Sequence, residues 1–166
     1  AEVADNAELL DRVIAAATDS AINATDKKQM SAFVSSCKAG RYVAAKALLE
    51  DERVDVNAVD PDKLAPIHYA VQHPELRPLV PKLIERKADV NAVDSAGSTA
   101  LHSCLAAGAV ETAGQLLDAG AVVDAKLDAT GENALHVAVA TAEVADNAEL
   151  LDRVIAAATD SAINAT

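Results

Sequence analysis

The sequence predicts an all-α fold in which helix–turn–helix units stack in a row, joined by short hairpin-like loops. Three observations carry that prediction. Residues Ala1 to Thr25 return letter for letter as Ala142 to Thr166, a displacement of 141 positions. Inside this long period Asp26, Asp60, Asp94 and Asp128 stand 34 positions apart, each opening a similar stretch. The composition is 51% hydrophobic and rich in alanine, yet it holds one Phe, two Tyr and no Trp. A stack tolerates that poverty of large side chains, because each unit buries its apolar face on its neighbours instead of in a central core.

Taken in order, residues 1–25 read as the second half of a unit. Full units follow at 26–59, 60–93, 94–127 and 128–166. The first three of these match in length and the fourth is longer, and together they fill the long period, which is thus a whole number of short ones. Each opening aspartate suits a turn, since its side chain can bond its own backbone. Two apolar helical stretches follow in each unit, with Gly40 and Gly108 placed between paired helices where φ turns positive. Leu150 to Ala158 shows apolar residues at helical spacing. Asp146 with Glu149 three positions later predicts a capping box at its start. Pro74, Pro78 and Pro81 crowd one helical stretch of the second unit. The units end in Val56-Asn57-Ala58, Val90-Asn91-Ala92, Val123-Asp124-Ala125 and Ile163-Asn164-Ala165, tails too short for a sheet and expected to form loops. Leu48, Leu49, Leu83, Ile84, Leu116, Leu117, Val154 and Ile155 are the expected interface side chains.

A unit of this period, built as a turn plus two helices and opening on a Thr-Pro-Leu-His-like stretch, resembles the ankyrin repeat. The resemblance covers the whole chain as about four and a half repeats. The third unit matches best, with Gly97, Thr99, Leu101, His102, Gly108, Leu116, Leu117, Gly120 and Ala121. The second keeps Pro66, His68, Ala70 and Ala88 to Asn91. Val34 replaces the motif histidine in the first unit, and Ala65 and Asn133 replace the threonine. The fourth unit carries about five extra residues around Ala142 to Asn147. The resemblance implies a single ankyrin solenoid that binds proteins through its loop tips and the exposed face of its first helices. Carried over position by position, those surfaces are Lys27, Lys28, Met30 and Lys38, then Pro61, Asp62, Leu64 and Gln72. Ser95, Ala96 and Ser98 follow in the third unit, and Ala129, Thr130 and Glu132 in the fourth. It also implies that His68, His102 and His136 hydrogen-bond within the turns. Standing one per unit, these histidines form a ladder and do not converge on one ion.

The residues point away from enzymatic chemistry. There is no phosphate loop, dinucleotide fingerprint or recognisable nucleophile motif, and no cofactor or metal is expected. His73 reads as a surface residue. Asn23-Ala24-Thr25 matches the glycosylation acceptor pattern, but modification is not expected in a repeat loop. Cys37 and Cys104 occupy near-equivalent positions in different units, too far apart for a disulfide, and predict a reducing compartment. No segment reaches the roughly 20 apolar residues that span a bilayer, and neither a signal peptide nor an initiating Met is present. The expectation is a cytoplasmic window of a longer array, with the cytoskeleton as its candidate setting. The net charge of −12 disfavours nucleic acid, whose phosphates demand Lys and Arg, and favours solubility. Removing the overlapping residues 1–25, with five acidic and one basic side chain, leaves 21 and 13, a net −8 per period.

Exact repetition bears on function. An identical long unit presents one surface at regular intervals, spaced by roughly 35–40 Å for four stacked helix layers. The expected function is therefore a structural scaffold: a giant tandem-repeat protein in a cytoskeletal or filamentous assembly, with proteins, including copies of itself, as partners. Glu143, Asp146 and Asn147 in the longer fourth unit would mark a lateral contact. The rival reading is a conventional adaptor or regulator for one soluble partner, with the segment duplicated by engineering.

Overall fold

In the computed structural model residues 2–164 are described, with side chains except at 2–6, 142–143 and 160–164. These residues are helical, and among them the only strand-like pairings are the isolated bridges Thr25–Ser31 and Lys126–Asn133. Two compact units emerge, one up to Ala88 and one from Asp89. The first holds α1 (Glu2–Ala16), α2 (Asp19–Ile22), α3 (Ala32–Lys38), α4 (Tyr42–Glu50) and α5 (Pro66–Gln72), then a 3-10 helix (Pro74–Leu79) and α6 (Val80–Glu85). Within it α4 packs between α1 and α3, and α3 packs on α5. The second unit holds α7 (Ala100–Ala106), α8 (Val110–Asp118), α9 (Ala134–Ala140), α10 (Ala142–Ala145) and α11 (Ala148–Asn164). There α7 packs on α8 and α9, and α11 lies against both α8 and α9.

One position sets where each first helix begins. Ser31, Ala65, Thr99 and Asn133 recur at the period of the opening aspartates, and each is the N-cap of its helix in extended backbone. Ser31 Oγ accepts from Val34 N–H (3.2 Å), Thr99 Oγ1 from His102 N–H (3.5 Å) and Asn133 Oδ1 from His136 N–H (3.3 Å). Ala65 has no such oxygen; Pro66 at the first helical position compensates by fixing φ and needing no N–H partner. The backbone of Ala65 (φ −84°, ψ 162°) nearly matches that of Ser31 (φ −71°, ψ 163°). An Ala65→Ser variant is therefore expected to gain about 1 kcal/mol, or about 2–4 °C in melting temperature. A thermal melt unchanged or lowered would show that the proline already does the work of the cap.

The second helices vary more. Pro74, Pro78 and Pro81 convert the expected single helix into a 3-10 turn followed by α6, since each proline removes a backbone donor. In the fourth unit the extra residues form the single turn α10, and α11 then starts anew. Its cap is Asn147, whose Oδ1 accepts from Leu150 N–H (2.9 Å), and not Asp146; Glu149 therefore lies one position short of a capping box. Of the expected interface side chains Leu48, Leu49, Leu83, Leu116 and Val154 are buried. Ile84 and Leu117 are half-buried, and Ile155 is exposed.

The two identical copies, 1–25 and 142–166, fold differently. The first forms α1 without a break, stops at Ala17, and restarts as α2 under a Thr18 cap that accepts from Ala21 N–H (3.2 Å). The second breaks between α10 and α11, then runs as helix through Asn164. The Ile163-Asn164 tail is thus helical where a loop was expected, and Ala165 lies outside the described residues. Neighbours hold the first copy in its loop. Residues 17–23 sit beside Arg53 and Asp55: Arg53 donates to the Ala17 carbonyl (2.8 Å), the Ile14 carbonyl (3.2 Å) and Asp19 Oδ1 (3.2 Å). Asn23 donates to the Arg53 carbonyl (2.7 Å) and accepts from Asp55 N–H (2.8 Å). At residues 158–164 the helix runs on.

Candidate functional site

The loop tips are built alike. Asp26 Oδ1 accepts from Lys28 N–H (2.8 Å) and Met30 N–H (3.1 Å). Asp60 Oδ1 accepts from Asp62 N–H (2.9 Å) and Leu64 N–H (3.0 Å), and Asp94 Oδ1 from Ala96 N–H (2.8 Å) and Ser98 N–H (2.9 Å). Each aspartate therefore organises its own turn. The position three places on adopts left-handed backbone throughout, at Gln29 (φ 60°), Lys63 (φ 61°), Gly97 (φ 74°) and Gly131 (φ 71°). At Gly97 a Cβ would meet the Lys126 carbonyl at 2.7 Å, so the third tip needs glycine for space as well as for conformation. The fourth tip departs: Asp128 N–H donates to the Ala96 carbonyl (2.9 Å), tying it to the third.

Among the residues expected to contact a partner, Lys27, Lys28, Lys38, Pro61, Asp62, Gln72, Ser95, Ala96, Ala129, Thr130 and Glu132 are exposed. Met30, Leu64 and Ser98 are half-buried, because their N–H groups close the turns. The large apolar side chains next to the tips that do face solvent are Val59 and Val93, each immediately before its aspartate. That register is legible in the short period, though periodicity alone did not single them out. Asp146 is exposed, Asn147 spends its side chain on the α11 cap, and the Glu143 side chain lies outside the described residues.

Lys38 is more than a contact candidate. Its Nζ pairs with Asp60 Oδ2 (2.8 Å) and lies 5.8 Å from the Tyr69 ring centroid, while Tyr69 Oη donates to the same carboxylate oxygen (2.5 Å). Asp60 is buried; burial pushes its carboxyl up, but the hydrogen bonds from Lys38 and Tyr69 outweigh it and hold the group below its usual range. Burial and the Asp60 bond push the Tyr69 phenol up to about 12. This carboxylate joins the first full repeat to the second, a role its sequence position does not announce.

The histidines act inside their own repeats. His68 Nδ1 accepts from Ala65 N–H (3.1 Å), His102 Nδ1 from Thr99 N–H (3.3 Å) and His136 Nδ1 from Asn133 N–H (3.4 Å). At His68 and His102, Nδ1 accepting places the proton on Nε2. Burial holds His102 below the ordinary histidine range; the Ala125 carbonyl and Asp94 oppose that shift, without a full hydrogen bond to the buried Nε2. His68 and His102 are buried, whereas His136 is exposed. His73 is half-buried, 3.7 Å from Glu75. Cys37 and Cys104 are buried and outside any disulfide, and burial raises Cys37 to about 12, where it is not a nucleophile at neutral pH. Among the described residues no His, Cys, Asp or Glu cluster could hold a metal ion, and no helix is long and apolar enough to cross a membrane.

Side chains that reach into the neighbouring repeat bind each unit to its successor. Asn57 Nδ2 donates to the Lys87 carbonyl (3.2 Å); Asn91 Nδ2 donates to the Gly120 carbonyl (3.2 Å) and its Oδ1 accepts from Val122 N–H (2.8 Å). Arg86 gathers the Leu49, Asp51, Glu52 and Val54 carbonyls at the end of α4. Arg153 reaches the Gly114 carbonyl (2.8 Å) and Asp118 (2.6 Å) on α8. Asn23 uses both ends of its amide in this way.

The comparisons with known proteins agree with this geometry. The family profile for ankyrin repeats in three copies matches residues 1–94 and again 67–157. A fowlpox virus (strain NVSL) protein named for its ankyrin repeats is 56% identical over 39 residues, which is 24% of this chain and about 6% of that protein's length. The crystal structure of an ankyrin repeat domain from Acinetobacter baumannii AYE superposes with a TM-score of 0.72 at 27% identity, covering 93% of this chain and 74% of that one. The chain belongs to the ankyrin repeat family.

Proposed function

We propose that this chain is part of a giant structural scaffold in a cytoskeletal or filamentous assembly, an array in which the long period recurs and presents one binding surface at fixed intervals. Ankyrin repeats make the chain a protein–protein interaction scaffold; the array is the finer reading. The observation that supports it is the exact return of Ala1 to Thr25 after a whole number of repeats. The partners are proteins, copies of the array among them, received on the tips around Lys27, Lys28, Pro61, Asp62, Ser95 and Thr130 and on the first helices at Gln72. Val59 and Val93 add apolar contacts beside the tips. Asp146 in the α10–α11 turn recurs once per period and would mark a lateral contact.

The mass of the native polypeptide on a denaturing gel, detected with an antibody to the repeat, tests this reading. A species many times larger than 17.0 kDa is expected. A species near that mass would favour an adaptor for a single soluble partner.

A further inference from the structure

We propose that copies of this chain associate side by side through charge, the lysine-bearing tips of the first two full repeats in one copy docking along α8 and α11 of another. The inference deepens the array reading, because it says how one array meets the next. Charge is divided unevenly along the long period. Residues 26–88 carry eleven basic and nine acidic side chains, a net +2, whereas residues 89–166 carry two and twelve, a net −10. Two arrays lying in register would set one acidic stretch against another. A displacement of two repeats sets each acidic stretch against a basic one, the arrangement that charge complementarity favours. The same displacement brings the first two tips opposite the repeats that hold α8 and α11.

The basic side is built within the first compact unit. Lys27, Lys28 and Lys63 are exposed, and none of them enters the ion pairs formed among the described residues. The first two tips also carry side chains at their left-handed position, Gln29 (φ 60°) and Lys63 (φ 61°), where the other two have Gly97 and Gly131. Glycine is the residue that backbone prefers, so Lys63 keeps its charge at the tip against a local preference. Val59, 46% exposed, adds an apolar contact beside the second tip. The acidic side lies within the second unit. Glu111, Asp118 and Glu149 border a groove of about 340 Å³ between α8 and the start of α11, with room for the ends of lysine side chains. Its one cation, Arg153, is held by the Gly114 carbonyl and Asp118, and Glu111 and Glu149 stay exposed outside the ion pairs of the described residues. Asp146, next to Asn147 on the groove wall, lengthens the same acidic edge. Both surfaces lie within residues 27–153, so every copy of the period carries one of each. Because the two surfaces differ, the contact is heterologous and can be repeated from array to array.

Sedimentation at a fixed, high protein concentration in about 0.1 M and about 1 M salt tests the contact, since the Debye length falls from about 10 Å to about 3 Å between them. The weight-average mass is expected to exceed the 17.0 kDa monomer at the lower salt and to return to it at the higher. Lys27→Glu, Lys28→Glu and Lys63→Glu together are expected to keep the circular dichroism and stay monomeric at both. Glu111→Lys with Glu149→Lys is expected to do the same. All five changes in one chain exchange the signs of the two surfaces and are expected to restore association at 0.1 M. Net charge alone does not produce that rescue, because three reversals to acid and two to base leave the chain more negative than the wild type. A wild type monomeric at 0.1 M, an assembly that survives 1 M, or a folded five-fold variant that stays monomeric overturns the proposal. The gel test fails separately: a long polypeptide that does not associate sinks this inference alone, and a short one that associates sinks the array alone.

Discussion

An Asp60→Ala variant is expected to lose about 2–3 kcal/mol of stability, because the buried Tyr69 hydroxyl and two turn N–H groups lose their acceptor, while the exposed Lys38 turns to water. Two functions fail together. Oδ2 no longer meets Lys38 Nζ and Tyr69 Oη, and Oδ1 no longer holds the Asp62 and Leu64 N–H groups that shape the second tip. Asp60→Asn keeps the shape and separates the charge from the turn. The pH dependence follows from the depressed carboxyl. A group whose folded pKa lies below its unfolded value stabilises fully above the unfolded value, about 4, and that stability is lost as pH falls through the folded pKa. Tyr69, raised to about 12, works at the other limit: its contribution is complete below about 10 and is lost as pH rises toward 12. Urea melts of wild type and Asp60→Asn should therefore differ most between these limits and converge in acid. A gap that persists unchanged at pH 2 would assign the effect to packing instead of charge.

Arg86→Ala is expected to cost about 3 kcal/mol, since charge-assisted hydrogen bonds to four carbonyls disappear at once. Those carbonyls belong to the last turn of α4 and the loop after it, groups no intrahelical donor can reach. A guanidinium at a helix C-terminus also opposes the negative end of the helix dipole. Arg86→Lys retains the charge and loses the planar fork, so it should recover less than half of the loss. Equilibrium unfolding in urea reads both variants. A loss below about 1 kcal/mol for alanine would reduce Arg86 to an ordinary surface cation.

The parts legible in the sequence are those set by residues a few positions apart. The aspartate turns and the positive φ of Gly40 and Gly108 are local chemistry, and the period repeats them. The parts that were not legible depend on partners most of a repeat away or more. Nothing near Asp60 in sequence marks it as the acceptor for Lys38, and nothing near Arg53 or Arg86 names the carbonyls they collect. The α10–α11 break shows the limit most clearly, because Asp146 and Asn147 are equally good caps by type and α11 takes Asn147. Of the side chains expected at the tips, the lysines are exposed as their positions predict, while Met30 and Leu64 are half-buried in turns that their N–H groups close.

The loop at residues 17–23 exists because Arg53 and Asp55 arrive later in the chain, and this has a consequence for biosynthesis. A ribosome releases the repeats in order, so the newest repeat is always the one whose successor is missing. Its counterpart of residues 17–23 lacks, until then, the groups that Arg53 and Asp55 supply. The nascent chain then exposes one unfinished edge of fixed size, however many repeats have already been made.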